Sequence, residues 1–200
     1  MSTPRHWLYA AVSFTAAFLS LWILSQSLWI PVKAELAQWL IMNSWQDSLN
    51  GHRDARPWPW ADTRPVAMLS VPGHGIRQIV LEGNSGRNLA FGPVFTAGTL
   101  SSQDWIISGH RDTHFGFLAD LRQGDLLQVT TPGTSKWFEI KTLDVIDSRT
   151  QELIIEPSLD RVSLVTCYPF DSLETGGPLR YVVTALLASE PPKPRQPSSG

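Results

Sequence analysis

Between Trp7 and Val32 the chain carries 26 consecutive residues without a charge, and Trp7–Leu24 is almost continuously apolar. A water-soluble fold would have to bury that whole run, whereas about 20 such residues in a helix cross the hydrocarbon core of a bilayer, tilt taking up any excess. Trp7 and Tyr9 at one end and Trp29 at the other match the aromatic enrichment of the two interfaces. Arg5 and His6 precede the run with no acid before it, which favours an amino terminus on the inside; Lys33 on the far side thins that signal. A cleavable signal peptide is the other reading, but its apolar region is shorter and ends at a small-residue site. Here the run continues past Ala16-Ala17 into Trp22, Ile23 and Leu24. Residues 1–33 are expected to be an uncleaved signal anchor, a single transmembrane helix, and both readings export the remainder.

Ala34–Leu49 continues in helical style, with Leu36, Trp39 and Leu40 on one side, and seven of the nine tryptophans precede residue 61. Packing is the simplest role for Trp39 and Trp45. Pro57, Pro59 and Pro65 then stop any helix, so residues 34–64 read as a juxtamembrane helix and a Pro/Trp linker.

From Pro65 to Leu187 short apolar and β-branched runs recur: Val66–Val71, Gln78–Leu81, Trp105–Ser108, Leu126–Thr131, Trp137–Ile146, Val162–Cys167 and Tyr181–Leu187. Phe138, Ile140, Thr142 and Asp144 alternate with Glu139 and Lys141, as on a half-buried strand. Pro72-Gly73, Gly83-Asn84, Gly124-Asp125, Pro132-Gly133 and Gly176-Gly177 punctuate the runs, and Thr113–Leu121 and Glu152–Leu159 leave room for short helices. Residues 65–188 are expected to form an all-β domain of seven or eight strands, a barrel or sandwich. The tail 189–200, rich in Pro and Ser, cannot bury a core and is expected to be disordered.

Charge narrows the partners. With 16 Lys and Arg against 18 Asp and Glu, the net charge is −2, and no basic excess exists to neutralise a nucleic-acid backbone. The single cysteine, Cys167, excludes an intrachain disulfide framework and any all-Cys metal site. Acids such as Asp144, Asp147, Glu152 and Glu156 lack calcium-ligand spacing, so no metal and no cofactor is expected.

Three elements remain as chemistry. Cys167 ends the apolar run Ser163-Leu164-Val165-Thr166-Cys167, and Pro169 two residues later turns the chain out of the strand. A lone cysteine is often a small buried hydrophobe, but an exported protein that keeps one unpaired thiol accepts a risk of oxidation that packing alone does not require. Ile106-Ile107-Ser108-Gly109-His110-Arg111-Asp112-Thr113-His114-Phe115 brings two histidines four apart behind a strand. A zinc-protease motif would need Glu after the first His, where Arg111 stands, so the better reading has one histidine serving Cys167 from 57 residues away and the other closing the loop. Asp112 pairs most simply with Arg111 or caps the next turn. Arg180 opens Leu179-Arg180-Tyr181-Val182-Val183 after a Gly-Gly-Pro turn, either solvated or held beside Cys167 across a 12-residue loop.

Taken together, the Leu-Val-Thr-Cys run, Gly-His-Arg-Asp-Thr-His-Phe and the Arg180 strand, in this order and spacing, resemble a sortase. Residues 58–67, Leu89–Pro93 and Cys167-Tyr168-Pro169-Phe170 are similar to the proteobacterial group called class GN, which resembles classes D and E. Ser163 stands where the family often has Thr, which keeps a hydroxyl. The resemblance, over roughly residues 58–187, implies a sortase-like eight-stranded β-barrel with short helices behind an N-terminal transmembrane helix. It implies Cys167 as nucleophile, His110 as general acid/base and Arg180 as positioning and oxyanion residue, with Ser163, Val165, Thr166 and Tyr168 at the substrate. The loops Glu152–Leu159 and Tyr168–Pro178 would flank the groove.

The implied reaction is transpeptidation of an exported protein bearing an LPXTG-like sorting signal, with an amine as acceptor. The implied location is the cytoplasmic (inner) membrane, with the catalytic domain on the periplasmic, extracytoplasmic side. An ordinary thiol and imidazole titrating independently are ~3% thiolate and ~25% imidazolium at pH 7, so about 1% of such pairs carry both charges and turnover is expected to be slow. A cysteine hydrolase would use the same residues, whereas a non-enzymatic exported barrel would need neither Cys167 nor His110.

Overall fold

The computed structural model describes residues 5–52, 54–97, 104–156, 158–172 and 176–188; the tail 189–200 lies outside the described residues. The chain divides into two units, Met1–Trp39 and Leu40–Gly200. A single helix, α1, runs Arg5–Leu49, and no break marks the boundary expected at residue 33. Pro31 lies within it, where the missing N–H leaves the carbonyl four residues back without its usual donor. In the first unit the apolar side chains, among them Leu8, Val12, Phe18 and Trp22, are exposed, and the helix is long and apolar enough to cross a bilayer.

In the second unit the last turns of α1 bury Ile41, Ser44, Trp45 and Ser48, the i, i+3, i+4, i+7 stripe of an amphipathic helix. Of the two tryptophans expected to pack, Trp45 is buried and Trp39 is exposed. Ile41 joins Leu81 and Val94 in a small cluster with Trp58 and Phe91, whose rings meet edge to face at 5.1 Å. The Ser44 hydroxyl donates to the Ala55 carbonyl at 2.7 Å and fixes the turn that follows the helix.

Eight strands close into a barrel: β1 (Pro65–Val71), β2 (Ile76–Glu82), β3 (Val94–Ala97), β4 (Asp104–Ser108), β5 (Leu126–Thr131), β6 (Thr134–Asp147), β7 (Arg161–Cys167) and β8 (Leu179–Leu187). Around the barrel the order is β1-β2-β3-β4-β7-β8-β6-β5, with β2·β3 and β4·β7 parallel and the other pairs antiparallel. Closure leaves no free sheet edge. Strand β3 is the one not expected from sequence: four residues behind Pro93 are too short a run to show alternation. A one-turn helix, α2 (Gly86–Leu89), was also not expected, and a 3-10 turn at Gly116–Asp120 falls inside the expected Thr113–Leu121. The described part of residues 152–159 is not helical.

The core inside the barrel gathers Leu69, Val80, Trp105, Ile107, Leu127, Phe138, Ile140, Val162, Leu164 and Val183, with Phe115 and Leu118 closing one end. On β6 the expected phase holds through Phe138 and Ile140 and then shifts. A bulge between Ile140 and Thr142 turns Leu143 to the core and leaves Thr142 and Asp144 exposed. At the β5–β6 hairpin Gly133 follows Pro132 with φ +109°, a sign of φ that the third residue of a type II turn requires.

One ion pair is built into the wall. Asp104, 0% exposed at the start of β4, stands opposite Arg161 of β7 and accepts its Nε at 2.9 Å and its Nη2 at 2.5 Å. The same carboxylate accepts the Glu156 N–H at 2.7 Å, and Arg161 Nη2 donates to the Ile154 carbonyl at 2.6 Å. The pair therefore ties the β6–β7 connection to the barrel. Removing one partner of a buried pair leaves the other uncompensated. Asp104→Ala is expected to cost about 3 kcal/mol, lowering Tm by roughly 6–12 °C for a chain of this size, as read by thermal melting of the full chain in detergent.

Candidate active site

Two parallel neighbours in a sheet end at the same edge, and here the ladder sets which residues meet there. Ser108 of β4 pairs with Val165 of β7, and beyond it the Gly109 N–H donates to the Val165 carbonyl at 3.1 Å. His110 is two residues past Ser108, in the turn beyond β4, and Cys167 is two past Val165, so each stands the same number of residues past the last ladder pair. On the other side β7 runs antiparallel to β8, and Cys167 pairs directly with Arg180. Cys167 and Arg180 are thus paired neighbours on β7 and β8, and His110 follows the end of β4 on the other side of β7.

The turn that carries His110 is held from inside the barrel. The Thr166 hydroxyl donates to the Gly109 carbonyl at 2.8 Å, and the Phe115 ring packs on the Gly109 backbone. The His114 and Phe115 amides both donate to the His110 carbonyl, at 3.2 and 2.9 Å. His110 itself is exposed, and Cys167 is half-buried. A cavity of about 310 Å³ opens between them, lined by His110, Arg111, Asp112, Cys167, Tyr168, Pro169 and Ser172 and by Gly176–Leu179.

Arg180 does not line that cavity. Its Nη1 donates to the carbonyls of Gly177 at 2.5 Å and Leu179 at 2.8 Å, holding the turn before β8. Of the other expected substrate contacts, Val165 and Tyr168 are half-buried, on the strand and turn beside the thiol. Ser163 (3% exposed) and Thr166 (2%) are covered, neither lines that cavity, and the Thr166 hydroxyl is engaged with the Gly109 carbonyl.

His114 differs from His110. Burial holds its imidazole pKa below the ordinary value, with nearby His110 acting in the same direction and a hydrogen bond to the Ala90 backbone opposing both. It joins the turn after β4 to the α2–β3 connection, a bond to a different loop rather than one within its own.

Two features were not visible in the sequence. Tyr168, Phe170 and Tyr181 form an aromatic cluster: Tyr168 and Tyr181 stack at 6.1 Å, and Phe170 meets Tyr181 edge to face at 5.1 Å. Their spacing, two residues apart after the cysteine and one past Arg180, was the available signal. The second is Arg111, only 7% exposed. Besides Asp112 it donates to the carbonyls of Pro169 at 2.6 Å and Ser172 at 2.7 Å.

A Sortase domain family model matches residues 69–188. The chain belongs to the sortase family. Sortase D of Bacillus subtilis (strain 168) is 32% identical over 79 residues, a stretch that takes in 39% of either chain. Among solved structures, a Clostridium perfringens Sortase D5 transpeptidase superposes with a TM-score of 0.54 at 22% identity, over 62% of this chain and 79% of that one. Sortase A from Corynebacterium diphtheriae gives a TM-score of 0.57 at 19% identity, over 79% and 86%. At these identities the likeness shows the fold, a closed eight-stranded barrel with short helices.

Two outcomes follow for this sortase. A Cβ added at Gly109 would lie 2.7–2.9 Å from the Phe115 ring, which is fully buried and has no room to retreat. Gly109→Ala is expected to destabilise by about 1–3 kcal/mol in thermal melting. The second outcome concerns His114, whose folded pKa lies below its unfolded one. Its unfolded state takes up protons first as pH falls below about 6.5. Its contribution to stability is present above that pH and is lost as pH falls through the folded value. The Tm of His114→Gln is expected to decline less than that of the parent from neutral to mildly acidic pH, and parallel declines would remove His114 from the account.

Proposed function

We propose that this sortase-family chain is a membrane-anchored cysteine transpeptidase with Cys167 as nucleophile, His110 as general acid/base and Arg180 as positioning and oxyanion residue. The observation that carries the reading is the register that pairs Cys167 with Arg180 and sets His110 past the end of the neighbouring strand. The Cys167 thiolate attacks the carbonyl carbon of the scissile amide, forming a C–S bond and a tetrahedral oxyanion. The oxyanion collapses, the C–N bond breaks, and the His110 imidazolium gives its proton to the leaving amine. Neutral His110 then takes a proton from the incoming amine as its nitrogen attacks the thioester, and the thiolate leaves. Two Arg180 N–H groups bond turn carbonyls; the remaining donors of its planar guanidinium are those that would meet the oxyanion.

The substrate on this reading is an exported protein with an LPXTG-like sorting signal, and the acceptor is an amine. Val165 and Tyr168 contact the acyl side directly, while Ser163 and Thr166 support them. Residues 1–33 anchor the chain in the cytoplasmic membrane, residues 34–64 lead to the barrel, and residues 65–188 work on the extracytoplasmic side. A helix long and apolar enough to cross a bilayer supports the anchor, and the family is one of the cell envelope. The 32% identity to a Sortase D over 79 residues supports placement near class D, which the class GN group resembles.

Intact-mass analysis tests the reading on the full chain in detergent, incubated with Leu-Pro-X-Thr peptides with and without an amine. The parent is expected to gain an acyl adduct that the amine clears into a ligated product, and Cys167→Ala to gain none while melting as the parent does. His110→Ala is expected to lower turnover by about 10²–10⁴-fold and His114→Ala by far less. Clearance by water as fast as by amine would make the enzyme a hydrolase. An adduct that persists in Cys167→Ala would remove the nucleophile assignment.

A further inference from the structure

Arg111 is a buried cation at the edge of the Cys167 cavity whose bonds run to two different loops. Its Nε donates to Asp112 Oδ1 at 2.7 Å and its Nη2 to Asp112 Oδ2 at 3.2 Å, while Nη2 and Nη1 reach the Ser172 and Pro169 carbonyls. Four bonds leave one planar group in fixed directions, a geometry that a lysine ammonium does not reproduce. Arg111 adjoins His110 in the chain, and Pro169 lies two residues from Cys167. The guanidinium therefore bridges the turn that holds the imidazole and the turn that holds the thiol. Among the described residues, the charged and titratable groups around it are Asp112, Cys167 and Asp171, with His110 facing Asp112.

We propose that Arg111, oriented by Asp112, is a positioning residue that clamps the start of the β7–β8 connection to the turn after β4 and so sets the separation of Cys167 and His110. The proposal rests on the reading of those two residues given above. A displacement of about 1 Å between reacting groups can cost on the order of a hundredfold in rate, and the clamp acts through one covalent link on one side and two on the other. The Asp112 carboxylate, held below its ordinary range by the guanidinium, stays an anion and keeps the fork in its plane.

The test uses the full chain in detergent with Arg111→Lys, Arg111→Gln and Asp112→Asn. For each variant, Tm, kcat and KM for peptide ligation, the iodoacetamide alkylation rate of Cys167 from acid to alkaline pH, and amide exchange of residues 170–172 are measured. Arg111→Lys keeps the charge and loses the fork. It is expected to melt near the parent, to lose kcat by about tenfold or more with KM little changed, and to exchange faster at residues 170–172. Arg111→Gln adds to this a slower alkylation of Cys167 at a fixed neutral pH, the cation beside the thiol being gone, and Asp112→Asn falls between parent and Arg111→Lys in kcat. Parent-like kcat and exchange in Arg111→Lys would overturn the clamp, as would a kcat loss that only follows the folded fraction. If the parent ligates no peptide, the catalytic reading fails separately, and exchange and alkylation still decide whether Arg111 ties the two turns together.

Discussion

In a parallel ladder two strands finish at the same edge of a sheet, and residues an equal number of steps past the last pair arrive side by side. The β4–β7 ladder runs from Asp104 opposite Arg161 to Ser108 opposite Val165. It delivers His110 and Cys167 to one edge although 57 residues separate them. A parallel connection needs a long crossover, and residues 109–160 supply one by way of β5 and β6, which wrap the far side of the barrel before the chain returns. Losing register by one residue would turn Cys167 into the core and Thr166 out. The alternation of Val162 and Leu164 inward, both fully buried, holds the register against that slip.

The two faces of β7 divide the work. Inward, Val162 and Leu164 join the packed core, and Thr166 meets the Gly109 carbonyl at the barrel's end. A hydroxyl at this position satisfies a buried carbonyl that an apolar side chain would leave unpaired, at a cost of about 1–3 kcal/mol. Outward, Val165 and Cys167 are half-buried. The turn bearing His110 is thus fastened from the core side by Thr166 and Phe115, so the imidazole stays exposed on a rigid base.

Much of this was legible in the chain itself. Seven of the eight strands announced themselves by β-branched runs between Gly and Pro turns, whereas the residues alone left Cys167, the two histidines and Arg180 as open candidates, and only the resemblance to sortases singled out Cys167, His110 and Arg180. Strand β3 was hidden, since Val94–Ala97 is too short to display a period and is recognised only when β2 and β4 are in place. On α1, packing was expected for Trp39 and Trp45, and only Trp45 is buried; one tryptophan is as apolar as the other, so residue type alone does not separate them. The loop contacts of Arg111 and Asp104 were invisible for a different reason. Their partners include the carbonyls of Pro169 and Ser172 and the N–H of Glu156, and every residue carries such groups, so no residue type marks them.

Those backbone partners show what strand β4 contributes beyond a histidine. At its first residue Asp104 fastens the β6–β7 connection through Glu156 and, by way of Arg161, Ile154. Three residues past its last one, Arg111 fastens the β7–β8 connection. One five-residue strand, Trp105 and Ile107 locked in the core, therefore carries the anchor of a connection at each end. Charge-assisted bonds to main-chain groups suit that task, because they fix where the backbone runs while leaving the side chains of both loops open to change.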